Sequence, residues 1–258
     1  MPDYTTILVD DQGPVARLTL NRPDKRNPIG PATCGELVAA LAQIKANQAV
    51  RAVVLTGAGP VFSAGGDLSA MQAPPGAAGV PPATLVELLT AMHLLGKPII
   101  AMVNGPALAG GLGLMVACDL VIASDTAQFG TTEIAVGLWP MMITAEITRS
   151  VGRKKTLEMM LTGRKLDAQE ALACGLVNKV VPAAELEAQT MALATELAGR
   201  SPAAMALGLL AFYRSQDMEF EPQLRYLQAE LGRVLALEDA AEGIAAFLGK
   251  RKPVWKGK

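Results

Sequence analysis

The chain has 258 residues, 51% of them hydrophobic and 18% charged, and a formal net charge of −1. That length fits one large domain or a domain with a small appendage, and the apolar share allows a sizeable core and excludes general disorder. A charge near zero, with no basic block inside the chain, leaves no electrostatic footprint for nucleic acid.

Ile7–Asp10 and Val15–Leu20 read as two strands joined by a turn at Asp11-Gln12-Gly13-Pro14, and Asn21-Arg22-Pro23 ends the second. A helix is expected from about Pro31 to Asn47, with Pro31 in its first turn and Leu37, Leu41 and Ile44 on one face. Ala52–Thr56 is a continuous apolar strand broken by Gly57-Ala58-Gly59-Pro60, and Val61-Phe62-Ser63 begins another short extended piece. Residues 73–82, APPGAAGVPP, read as a mobile loop and not a boundary, because strand–helix alternation resumes after them. A helix from Thr84 to Leu95 and a buried strand at Ile99–Val103 follow. That strand delivers the chain to NGPALAGGLGLMVACD at 104–119, which ends in a helix near Cys118. Leu120–Ala123 and Val177–Val181 are the last strand candidates. From Ala183 the pattern is helical: 183–200, 201–214, and one long amphipathic segment from Glu221 to Leu248. The fold class is therefore α/β, with a core of repeating strand–strand–helix units over 1–182 and a helical C-terminal region over 183–258. The apolar faces of that region suit core or subunit contacts.

Cys34, Cys118 and Cys174 form an odd set without CxxC spacing, which fits a reducing compartment and speaks against a disulfide framework or a zinc site. His93, the single histidine, has the apolar neighbours Met92, Leu94 and Leu95 and reads as an ordinary helix residue. The start of the chain lacks a basic n-region and a long apolar h-region, and no apolar run reaches the ~18 residues of a membrane span. A soluble cytoplasmic protein, with neither membrane nor metal, is the expectation.

The chemistry gathers at two glycine turns. Gly110 and Gly111 open the short apolar helix of 104–119, and free N–H groups at a helix start stabilise negative charge. In TGAGPVFSAGGDL, residues 56–68, a strand precedes a glycine turn, but another extended run follows it instead of a long helix. A dinucleotide fingerprint fails on that context, and no GxxxxGK[ST] is present. A tight turn alone would account for Gly65-Gly66. Two such Gly–Gly turns, each following a buried strand of one core, can bring two backbone N–H groups onto a single oxygen, which is an oxyanion hole. Such a hole needs an acid or base beside it. The nearest downstream carboxylate in a loop-to-helix setting is Glu133, which Thr131 or Thr132 would precede as a helix cap. An ordinary first-turn glutamate is the alternative for Glu133.

Six ordered segments resemble the crotonase, or enoyl-CoA hydratase/isomerase, superfamily over nearly the whole chain. They are LTLNRPDKRNPI (18–29), VVLTGAGPVFSAGGDL (53–68), KPIIAMVNGPALAGGLGLMVACDLVIAS (97–124), AQFGTTEIAVGLWP (127–140), LTGRKLDAQEALACGLVNKVVP (161–182) and AFLGKRKPVW (246–255). The resemblance implies a spiral of strand–strand–helix repeats that binds an acyl-CoA thioester and stabilises an enolate-like oxyanion. It places the two oxyanion N–H groups on Gly66 and Gly110, and the acid/base on Glu133. Lys25, Arg26 and Ala64 match CoA-contacting positions, as do Phe247 and Lys250, which in the family often reach a neighbouring subunit. Homotrimers or homohexamers are implied, and no cofactor beyond the coenzyme A of the substrate.

The family's hydratases carry a second glutamate where this chain has Gly113. One carboxylate suffices to move a proton between carbons, so the departure favours double-bond isomerisation. Hydration with the second carboxylate replaced and a non-catalytic acyl-CoA-binding role are the alternatives, and a decarboxylase or thioesterase on the same scaffold is a further one. A second departure replaces a glycine-rich turn after Pro140 by Met141-Met142-Ile143. Trp139 and the two methionines suit an acyl pocket or core packing.

Overall fold

A computed structural model describes residues 3–68 and 80–258. The expected loop at 73–82 lies mostly outside the described residues. Strands β1 (Ile7–Gln12), β2 (Val15–Leu20), β3 (Ala52–Gly57), β4 (Ile99–Val103), β6 (Leu120–Ser124) and β9 (Lys179–Val181) form a six-stranded sheet in the order β1-β2-β3-β4-β6-β9. The β1–β2 hairpin is antiparallel and every later pairing is parallel. Strands β5 (Ala107–Leu108), β7 (Gln128–Gly130) and β8 (Leu166–Asp167) make a second, three-stranded sheet. This small sheet was not foreseen: strands of two or three residues are too short for any periodicity to register.

The continuous apolar runs of β3 and β4 reflect burial on both faces. Val53, Leu55, Ala101 and Val103 point into the larger core, shared with helices α1 (Pro31–Ala46), α2 (Leu85–His93) and α3 (Gly110–Val116). Their alternates Ala52, Val54, Ile100 and Met102 point to the other face, where helix α6 (Leu186–Ala198) covers them with Leu186, Ala194 and Ala198. The expected division after residue 182 thus falls just before a helix that closes the sheet's outer layer. Helices α4 (Met141–Thr162) and α5 (Ala168–Ala173) complete the core region. Inside α4, Gly152 leaves helical geometry at φ 73°, a left-handed conformation that glycine adopts without a Cβ penalty.

The single amphipathic helix expected over 221–248 is two helices, α8 (Phe220–Leu235) and α9 (Glu238–Leu248), preceded by α7 (Pro202–Ser215). The chain leaves helical geometry at Leu237 (φ −71°, ψ 144°), and the acidic Glu238 and Asp239 then stand in the favourable first turn of α9. Val61–Ser63 makes only the bridge Ser63↔Ala107 and no strand. Thr84 caps α2 through a reciprocal capping box with Glu87. His93 ends that helix, stacked on Tyr213 of α7 at 4.0 Å between ring centroids. Asp119 joins the same cluster, accepting from the Tyr213 hydroxyl at 2.5 Å and the Ile99 N–H at 2.6 Å. Among the described residues no helix is long and apolar enough to cross a membrane.

Candidate active site

The two glycine turns come together. Gly65-Gly66 is tied to the chain before α1, with the Ile29 N–H donating to the Gly65 carbonyl at 2.7 Å and the Asp67 N–H donating to the Ile29 carbonyl at 3.0 Å. The Ala109-Gly110 turn is held from the other side, by the Ala109 N–H on the Gly130 carbonyl at 2.8 Å and the Leu108 N–H on the Ser63 carbonyl at 2.9 Å. Gly65 adopts φ 104°, and a Cβ there would lie 2.6 Å from the Ala109 Cβ, so only glycine permits the contact. A Cβ on Gly110 would lie 3.6 Å from the Gly66 nitrogen, so the two turns adjoin. Among the described residues neither the Gly66 nor the Gly110 N–H has an acceptor. Ala109 itself sits at φ 49°, a conformation that costs an alanine of order 1–3 kcal/mol and is retained here at the turn that precedes Gly110.

Several residues outside the expected set brace this arrangement. Asn27, buried at φ 52°, donates through its amide to the Ala58 and Val61 carbonyls and accepts from the Arg22 N–H. The Ser63 hydroxyl donates to the Asn27 carbonyl at 2.8 Å and accepts from the Gly65 N–H at 3.2 Å. Arg22 ion-pairs with the buried Asp67 at 2.7 Å. Arg22 and Asn27 belong to the NRPDKRN segment and Asp67 to AGGD, so motif membership marked their neighbourhood, while their bracing contacts are tertiary.

A cavity of about 510 Å³ opens over the paired amides, lined by Ala64, Gly66, Gly110, Glu133, Trp139 and Ile143 among others. Glu133 stands in a short 3-10 helix, Thr132–Val136, closed by Gly137 in left-handed geometry. The expected threonine cap does not form: neither the Thr131 nor the Thr132 hydroxyl donates to or accepts from that helix start, and the buried Thr131 Oγ1 has no partner. Among the described residues the Glu133 Oε2 likewise has no hydrogen-bond partner, and it is sealed from solvent. Burial therefore pushes its carboxyl above the ordinary glutamate value, a shift its own backbone N–H opposes only in part. Cys34 also lines the cavity, its thiol pushed up to about 11 by burial and by Glu87, so it is neutral at physiological pH.

The remaining expected positions lie elsewhere. Gly113 is buried within α3 and does not reach the cavity, because Ile143 of α4 covers it; a Cβ on Gly113 would sit 2.6 Å from the Ile143 Cβ and overlap its Cγ2. Lys25 and Arg26 are exposed and are not among the cavity's lining residues, although the Arg26 carbonyl accepts from the N–H of Ala64, which is one of them, at 2.9 Å. Phe247 and Lys250 stand at the end of α9 and line no part of the cavity, with Phe247 82% exposed. Trp139, by contrast, lies on the wall with Leu138, Met141 and Met142, all with exposed apolar surface.

Parallel strands with a small second sheet, and two adjoining glycine turns on a cavity that also holds a carboxylate, define an enzyme of the crotonase fold. A solved enoyl-CoA hydratase from Mycobacterium smegmatis superposes with a TM-score of 0.90 at 33% identity, covering 97% of this chain and 99% of that one. Human enoyl-CoA hydratase domain-containing protein 3 superposes at 0.89 with 32% identity, covering 97% and 100%. The family model for enoyl-CoA hydratase/isomerase matches residues 10–258. A probable enoyl-CoA hydratase of Rhizobium meliloti is 38% identical over 98% of both chains, and a putative one of Thermus thermophilus 37% identical over 94% of this chain and 98% of its own. The chain belongs to the enoyl-CoA hydratase/isomerase family.

Proposed function

We propose that the protein shifts the double bond of a 3-enoyl-CoA thioester to the 2-position, with Glu133 as the single acid/base. The thioester oxygen accepts from the Gly66 and Gly110 N–H groups, which stabilise the dienolate formed when Glu133 takes a proton from C2. The same carboxyl returns that proton to C4, so the overall change is one proton moved and one double bond displaced. The observation that carries this reading is the Glu133 Oε2, buried without a partner in the lining of a cavity whose other carboxylate, Asp67, is engaged by Arg22. A carboxylate raised above its ordinary value is closer in proton affinity to an acyl-CoA α-carbon flanked by a double bond.

The names of the relatives favour a second reading, hydration of 2-enoyl-CoA. Assaying purified protein with 3-enoyl- and 2-enoyl-CoA side by side separates the two. Rapid appearance of 3-hydroxyacyl-CoA from the 2-enoyl substrate would sink the isomerase reading. In the same proposal Lys25 and Arg26 meet coenzyme A phosphates at the cavity edge, as charge-assisted contacts. The exposed Phe220, Leu224, Leu235, Phe247 and Leu248 of α8 and α9 become subunit contacts in a trimer or hexamer, which would bring Lys250 to a neighbouring site. Light scattering that returns a monomer at micromolar concentration would remove that last element.

A further inference from the structure

We infer that Ile143 is a specificity-determining residue: by filling the space above Gly113 it keeps that wall of the cavity dry and so commits the site to proton transfer instead of water addition. The inference rests on Glu133 acting alone to move a double bond. The two outcomes differ by one reactant. Isomerisation moves a proton from C2 to C4 and uses no water. Hydration adds a hydroxyl to C3 and a proton to C2, so a water must be held against the substrate. A held water needs about two to four polar partners.

Ile143 is the side chain that separates Gly113 from the cavity. It is 2% exposed, lines the cavity, and occupies the volume that any side chain at position 113 would enter. The lining residues next to it in the chain, Pro140 and Met142, and those just before Gly113, Ala109 and Gly110, carry no polar side chain. The adjacent Thr144 hydroxyl is spent on the Pro140 carbonyl at 2.6 Å, which also fixes the first turn of α4. One turn further, the fully buried Ile147 anchors the same helix face. The isoleucine is thus held in place, and Gly113 and Ile143 are complementary: one lacks a side chain where the other needs room.

The test uses Gly113→Glu, Ile143→Ala and the double variant, each assayed for hydration of 2-enoyl-CoA and for the shift of 3-enoyl-CoA. Ile143→Ala alone gains no hydration, because the space it opens is apolar. The double variant hydrates at least tenfold faster than either single variant. Equal hydration by wild type and double variant, or by Gly113→Glu and the double variant, overturns the role of Ile143. A second measurement covers failure of the glutamate variants to fold. Gly113→Ala lowers the melting temperature through its overlap with Ile143, and adding Ile143→Ala recovers part of that loss; strictly additive losses overturn the complementarity. Absence of double-bond shift in every protein, wild type included, would refute the isomerase reading while the hydration and melting arms still decide Ile143.

Discussion

Asp119 and Glu133 are both carboxylates partly withdrawn from water, and they are treated in opposite ways. Asp119 receives the Tyr213 hydroxyl and the Ile99 N–H, beneath the His93–Tyr213 stack that docks α7 on the core. Glu133 has an oxygen sealed off with nothing to accept from. Burial raises both pKa values; the Tyr213 hydroxyl and the Ile99 N–H counter the shift at Asp119, whereas at Glu133 its own backbone N–H does so. A satisfied buried carboxylate holds structure together. An unsatisfied one stores a demand for a proton, which a substrate bound in the cavity can meet.

The sharpest way to break this contrast is to neutralise Glu133. Glu133→Gln should lower kcat by about 100- to 10,000-fold, the usual weight of a general base, while calorimetry still detects acyl-CoA binding. Next in size is the loss of one oxyanion donor. Gly110 is the first residue of α3, where proline is tolerated, so Gly110→Pro removes the N–H with the helix kept. A fall in kcat of about 100- to 1,000-fold is expected, with circular dichroism unchanged.

Asp119→Ala should act on stability alone. It strands two buried donors, each costing ~1–3 kcal/mol, and lowers the melting temperature by on the order of 10 °C while activity per folded molecule stays near wild type. A loss of kcat at unchanged stability would erase the distinction between the two carboxylates.

The smallest effect concerns pH. Because the folded pKa of Glu133 lies above the unfolded one, the native state binds more protons in the window between them. Stability from this group is therefore fully present below the unfolded value and lost as pH rises through the folded value. Glu133→Gln should accordingly melt slightly higher than wild type at pH 8, with the gap closing toward pH 4. The kcat/KM of wild type should fall on the acid side with a midpoint above the ordinary glutamate value of 4.5.

Sequence reading reached the parts of this site that are written locally. Gly66, Gly110 and Glu133 lie in short motifs whose turns and helix starts announce themselves, and β3 and β4 are legible as continuous apolar runs because both faces are buried. What escaped was tertiary. The packing of Ile143 onto Gly113 joins positions thirty residues apart, and nothing in Met141-Met142-Ile143 says which of them turns inward. The Asn27–Ser63–Gly65 brace and the Asp119–Tyr213 bond are likewise contacts between distant segments, invisible to periodicity. The break between α8 and α9 was missed for a different reason: Ala236-Leu237 carries no glycine or proline, and the amphipathic pattern runs straight through it.

The most direct test of Glu133 as the lone acid/base is the fate of the C2 proton. With 3-enoyl-CoA deuterated at C2, wild type should deliver 2-enoyl-CoA carrying part of the deuterium at C4, with no 3-hydroxyacyl-CoA, and Glu133→Gln should deliver essentially no product. Product from Glu133→Gln at the wild-type rate, or 3-hydroxyacyl-CoA forming as fast as the double bond moves, would contradict it.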